Sequence, residues 1–123
     1  MKAGVEKRRE RVRRWREELM KDDPFRLRSS RYLAFIRSKP CLICGTWADA
    51  HHVQYAQPRA LQRKTGDQYA VPVCRVHHVD LHTGGINEKT WWAMHGIDPV
   101  TWADRTYEAW LKEEEWRHGK QSQ

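Results

Sequence analysis

All three cysteines of this 123-residue chain, and five of its seven histidines, fall between positions 41 and 82. The cysteines are spaced Cys41-x2-Cys44, then 29 intervening residues, then Cys74, with His77 three positions further on. Two short-spaced pairs of soft ligands are what a closed tetrahedral zinc site requires, each pair pinching one edge of the tetrahedron from a tight turn. A lone free cysteine is as well explained as a small buried hydrophobe, but a second matched pair makes metal the better reading. An odd thiol count in a chain read as cytosolic does not suit a disulfide framework. Cys41, Cys44, Cys74 and His77 are therefore assigned to a structural Zn²⁺.

The remaining histidines suggest a second ion. His78 and His82 are four residues apart, so a helix places them on one face. His77 lies about 100° round from His78. One short helix can thus offer His77 to the zinc and the His78–His82 pair to another site. His51 and His52 are neighbours in an expected strand and point to opposite faces. One of them can complete a three-histidine site with open positions, the pattern of a catalytic metal. The other stays free as a base, since imidazole titrates near neutrality.

These side chains need elements to hold them. Two short strands are expected, 49–54 and 69–73, with Pro72 marking an edge or strand end. A polar loop joins them. A helix over 75–82 follows, closed by Gly84-Gly85. Before this segment, a charged helix over 5–21 ends at Asp22-Asp23-Pro24. Ser29 or Ser30 caps a second helix that buries Tyr32, Leu33, Phe35 and Ile36 and ends at Pro40. After it, Asn87 caps a helix over 88–95, and Asp98-Pro99 starts a last helix to about residue 117, with Trp102, Thr106, Ala109 and Trp110 on one stripe. The expected class is α+β: a small core at 41–85, a basic helical extension at 1–40, and C-terminal helices at 86–123.

Composition agrees with a stapled core. Leu, Ile, Val and Phe together number only 21, while there are seven Trp and four Tyr. So thin an aliphatic core usually needs a metal or disulfides. The aromatic stripe Trp91, Trp92, Trp102, Trp110 and Trp116 is read as core, with a partner-docking surface as the other possibility. No apolar run approaches the ~20 residues of a membrane span, and the N-terminus lacks a signal-peptide pattern; the expected location is cytoplasmic. The net charge is +7, with +8 carried by residues 1–40, +1 by 41–90 and −2 by 91–123. A basic first third favours an anionic polymer as partner, because phosphate neutralisation releases counterions.

The run Asp49-Ala-His51-His52-Val53, followed by Val73-Cys74-Arg-Val-His77-His78-Val-Asp-Leu-His82-Thr-Gly, resembles the HNH endonucleases, whose ββα-metal fold binds one divalent ion. His78-Val-Asp-Leu-His82 is similar to the helical ligand pair of the colicin-type DNases, and the CxxC…CxxH frame to the zinc-bearing branch of the family. Residues 32–44 and 67–85, with the following Trp-Trp and His-Gly-Ile-Asp, resemble phage and prophage members related to the RecA-dependent nuclease Ref. The resemblance implies that His52 is the general base and that His51, His78 and His82 hold the catalytic ion. That ion would be Mg²⁺ or Mn²⁺, with Zn²⁺ or Ni²⁺ as crystallographic stand-ins. It implies hydrolysis of DNA phosphodiesters to 3′-hydroxyl and 5′-phosphate ends, with low sequence specificity and a recombination or packaging protein as a further partner. The family's middle Asn is missing: no Asn occurs between Cys41 and Gly85, and Asp67 or Gln68 stands near its place to orient the base. The competing class is a non-catalytic zinc module that binds nucleic acid.

Candidate phosphate contacts are Arg8, Arg9, Arg13 and Arg14 in the first helix and Arg59, Arg63 and Lys64 in the polar loop. Charge reversal at Arg8, Arg9, Arg13 and Arg14 should weaken DNA binding and flatten its dependence on salt, by about 0.9 in the log–log slope for each phosphate no longer neutralised. A slope unchanged across a salt titration would leave that helix as a solvated face.

Overall fold

The computed structural model describes residues 7–14, 26–57 and 65–120. Residues 7–14 form a helix, α1. Then come α2 (Ser30–Arg37), β1 (Asp49–His52), β2 (Ala70–Val73), α3 (Arg75–Thr83), α4 (Glu88–Met94) and α5 (Pro99–Lys120). The protein is mixed α and β, with one small sheet among the described residues. No described helix is long and apolar enough to cross a membrane.

The sheet is the hub. β1 and β2 pair antiparallel, with Asp49 opposite Val73, Ala50 opposite Pro72, His51 opposite Val71 and His52 opposite Ala70. Because opposed residues share a face, Val71 and Val73 lie on the side of His51, and Ala70 and Pro72 on the side of His52. Val71 and Val73 pack with Val53, Leu81, Trp91, Trp92 and Ala103. Ala70 packs with Tyr32, Ile36 and Trp110. Both faces are therefore covered, which is why every residue of β2 is buried. Pro72 is tolerated because a two-stranded sheet has only edge strands. Its carbonyl accepts the Leu42 N–H at 3.1 Å, hanging the Cys41–Cys44 turn on β2.

Local chemistry sets the helix ends. Ser29 caps α2 by accepting from the Tyr32 N–H, and the helix stops at Ser38, two residues ahead of Pro40. Asn87 caps α4 through the Thr90 N–H. Asp98 accepts from the Thr101 N–H at 3.1 Å and opens α5. Gly85 and Gly96 take φ of +73° and +69° where α3 and α4 end, a region other residues avoid. β1 is shorter than expected: Val53 leaves the ladder and a 3-10 turn begins at Gln54.

The core stripe of α5 also differs from expectation. Ala103, Trp110 and Glu114 are buried, whereas Trp102 and Thr106 are half-buried and Ala109 is exposed. The stripe is rotated so that Trp110 can meet Tyr32, ring centroids 5.0 Å apart. Glu114 can be buried because Arg31 reaches it from α2 at 2.9 Å. On α2, Tyr32 and Ile36 are buried, while Leu33 and Phe35 are less covered. Of the Trp stripe, Trp91, Trp92 and Trp110 are core and Trp116 is 62% exposed.

Tyr32 is fully buried among Phe35, Tyr107 and Trp110. Burial, with Tyr107 adding to it, pushes its phenol well above the ordinary value. The Tyr32 hydroxyl has no hydrogen-bond partner among the described residues, and such an orphan costs about 1–3 kcal/mol. Tyr32→Phe should therefore raise stability by about 1 kcal/mol, whereas Tyr32→Ala should lower it by about 3–5 kcal/mol. Paired urea melts check both signs; a Phe variant less stable than the parent would show that the hydroxyl is satisfied.

Candidate metal centres and active site

The Cys41–Cys44 turn and the start of α3 meet at one point. Cys41, Cys44, Cys74 and His77 each offer one ligand atom, and all four lie within 4.8 Å of one another. Cys44 Sγ is 3.6 Å from Cys74 Sγ, and Cys74 Sγ is 3.1 Å from His77 Nδ1. Tetrahedral zinc with bonds of about 2.3 Å to sulfur sets S···S near 3.8 Å, so the donor set fits. The thiols are prepared for deprotonation. Thr46, through its hydroxyl and its N–H, holds the Cys44 thiol down at about 7. Burial opposes ionisation of Cys41, but the N–H groups of Cys44, Cys74 and Ile43 outweigh it and lower that thiol too. Cys74 has a second duty: its Sγ caps α3 by accepting from the His77 N–H.

The second cluster joins the same helix to β1. His51, His78 and His82 also bring one nitrogen each within 4.8 Å of the others. His78 Nε2 and His82 Nε2 are 3.1 Å apart; nitrogens about 2.1 Å from a shared ion stand about 3.0–3.4 Å apart. Burial first, then the neighbouring His51 and His82, pulls the His78 pKa down, which favours the neutral ring that binds metal. His51 Nε2 is held by Glu88 Oε2 at 2.6 Å, leaving Nδ1 for an ion. A carboxylate on the far nitrogen of a ligating imidazole fixes its tautomer and orientation. Glu88 itself accepts from the Trp92 indole at 3.0 Å and the Gln54 N–H at 2.9 Å. Burial opposes its ionisation, but the bond from His51 and these two prevail and keep its pKa low.

His52 is on the other face of β1, as the strand geometry requires. Its Nε2 meets Asp67 Oδ1 at 2.7 Å. An ionised carboxylate only accepts, so in the neutral ring the proton sits on Nε2 and Nδ1 is the nitrogen with the lone pair. Asp67 is fixed on three sides: Oδ2 accepts from the Ser29 N–H at 2.6 Å, its own N–H donates to the Leu27 carbonyl at 2.7 Å, and Arg28 approaches Oδ1 at 3.6 Å. Of the two candidates near this position, Asp67 is thus the one that meets His52. Gln68, the other candidate, folds its side chain back over Gly66. Ala50, His51, His52, Gln54, Thr65, His78 and His82 line one recess of about 320 Å³, so the four imidazoles share a cavity.

Sequence reasoning did not single out Glu88. It reads there as an ordinary acidic residue in a first helical turn, and only the buried second nitrogen of His51 called for a carboxylate. Arg8, Arg9, Arg13 and Arg14 are exposed on α1. Arg14 pairs with Glu10 at 3.2 Å, and the Arg8 stem lies against α5, 2.9 Å from where a Cβ on Gly119 would stand. Arg59, Arg63 and Lys64 lie outside the described residues.

Cys74→Ser should strip about one equivalent of zinc from the purified protein. The melting temperature should fall by roughly 10 °C or more, equivalent to about 2–3 kcal/mol for a chain of this size. Metal analysis beside a thermal melt checks this; stoichiometric zinc loss with an unmoved melt would remove the staple role.

Comparison with known proteins places the chain. Over 54 residues it is 35% identical to the uncharacterized protein YdfU of Escherichia coli (strain K12), a match covering 43% of this chain and 16% of YdfU, so it spans less than a fifth of that relative. No solved structure matches. A family model described as a protein of unknown function, DUF968, matches residues 19–112, about three quarters of the sequence. The chain belongs to the DUF968 family.

Proposed function

We propose that this protein is a metal-dependent DNA endonuclease with an HNH-type ββα-metal core, a structural Zn²⁺ at Cys41, Cys44, Cys74 and His77, and a catalytic divalent ion, Mg²⁺ or Mn²⁺, at His51, His78 and His82. The observation that carries this reading is the His52–Asp67 pair beside the three-histidine cluster. A module that only binds needs neither an oriented free imidazole nor three ligands with open coordination positions. The phage or prophage origin, the cytoplasmic setting, and a recombination or packaging protein as partner belong to the same reading.

The chain's own residues divide the work as follows. His51, His78 and His82 would hold the divalent ion, which would supply Lewis-acid stabilisation of the charge that develops on phosphate oxygens. His52 Nδ1 takes the proton from the attacking water. Asp67 holds that ring in one tautomer through Nε2 and stabilises the imidazolium that results. Glu88 does the corresponding job for His51, fixing its ring through Nε2. Exposed arginines of α1 supply sequence-independent attraction for the phosphate backbone.

His52→Ala should lower Mg²⁺- or Mn²⁺-dependent plasmid nicking by about 10²–10⁴-fold, with the protein still folded and zinc content and DNA affinity unchanged. EDTA should abolish wild-type nicking, and add-back of the divalent ion should restore it. Nicking by His52→Ala at the wild-type rate would reject the base assignment; ion-independent nicking would reject the metal mechanism.

A further inference from the structure

Trp47 is 97% exposed, the most exposed large hydrophobic side chain among the described residues. A chain so short of apolar side chains buries Trp91, Trp92 and Trp110 almost completely, yet leaves this ring in water. The turn just before it is well anchored. The Gly45 N–H donates to the Cys41 carbonyl at 2.9 Å, and the Cys41 N–H donates to the Thr46 carbonyl at 2.9 Å. The Thr46 hydroxyl sits 3.0 Å from Cys44 Sγ. Gly45 takes φ +76° to close this turn, with a bound zinc adding a further tie. The turn therefore presents the ring on a fixed base.

The surroundings are cationic. Arg37, Ser38, Lys39, Pro40, Thr46 and Trp47 line a recess of about 360 Å³. Arg37 is exposed in the last turn of α2, and the Lys39 ammonium sits 4.6 Å from the Phe35 ring centroid. Among the described residues, no carboxylate lines this recess. A flat ring with cations beside it and no acid is the chemistry that grips unpaired nucleotides: the base stacks on the ring and the cations hold the backbone. Duplex DNA offers no free base face for such a ring. A protein partner would call for a continuous apolar face, and this recess carries one ring between cations. Trp47 and His51 are four residues apart, so their Cα atoms are within about 14 Å, a few nucleotides of single strand.

We propose that Trp47, flanked by Arg37 and Lys39, is a stacking platform for an unpaired nucleotide of single-stranded DNA. The inference rests on the endonuclease reading and names its substrate class: DNA with a single-stranded stretch beside the cut. Binding measured without added divalent ion tests it apart from cleavage. The probe is a fluorescein-labelled oligodeoxythymidine, with a blunt duplex for comparison, titrated with the zinc-loaded full chain. Trp47→Ala should weaken single-strand binding roughly ten-fold and Trp47→Phe by less than about three-fold, with duplex affinity changing less than about two-fold. Arg37→Glu should weaken single-strand binding and reduce its salt slope by about 0.7. Zinc content and thermal melt identify any variant that fails to fold, and Trp47→Phe with Arg37→Glu then carries the test. The proposal is overturned if Trp47→Ala binds the single strand like wild type, or if single-strand and duplex affinities fall together. Loss of nicking by His52→Ala bears on the reaction and leaves this binding measurement untouched.

Discussion

A helix of nine residues has to face two clusters at once. α3 turns about 100° per residue, so Cys74 and His77 at its start look toward the Cys41–Cys44 turn, while His78 and His82 look toward β1. Neither cluster is complete on the helix alone. The first needs the turn that hangs from the Pro72 carbonyl, and the second needs His51 from the opposite strand. The sheet register therefore decides whether both sets converge. A one-residue slip would exchange His51 and His52 between faces, sending the wrong imidazole to the helix and leaving Asp67 without its partner.

What holds that register is unusual for so short a sheet. A four-residue pair is marginal by itself, and here it is clamped from both sides. Val71 and Val73 press into Trp91, Trp92 and Leu81, while Ala70 meets Tyr32, Ile36 and Trp110. Large rings do what a longer aliphatic core would otherwise do. A tightly bound metal at the head of α3 would add the remaining constraint, since its binding free energy becomes folding free energy.

Two carboxylates, the buried Asp67 and the half-buried Glu88, couple this frame to the recess. Asp67 joins the first turn of α2 to His52 through the Ser29 N–H. Glu88 joins the first turn of α4 to His51. Each acid sits where a helix start presents free N–H groups and a favourable field; Arg28 also approaches Asp67, and Glu88 takes the Trp92 indole and the Gln54 N–H. Helices packed on opposite faces of the sheet thus fix the two adjacent histidines independently. An unpaired buried imidazole nitrogen would carry a desolvation cost; paired, it becomes a rigid part of the site.

Much of this was legible in the linear chain. Paired Cys and His at short spacing can be read without coordinates, because ligand geometry demands adjacency along a turn or one face of a helix. Ser29, Asn87 and Asp98 announced their helices because capping is a local hydrogen bond. Other features required the folded molecule. Glu88 meets His51 across 37 positions, and Asp67 was only one of two candidates until the path of the chain placed it against Ser29. The rotated stripe of α5 follows from where Tyr32 sits, and Trp47 stands out only once the burial of the other described aromatic rings is known. Short-range hydrogen bonding and ligand spacing belong to the chain itself. Which carboxylate serves which imidazole, and which ring remains in water, are long-range packing outcomes, because they depend on surfaces that exist only once the helices close over the two strands.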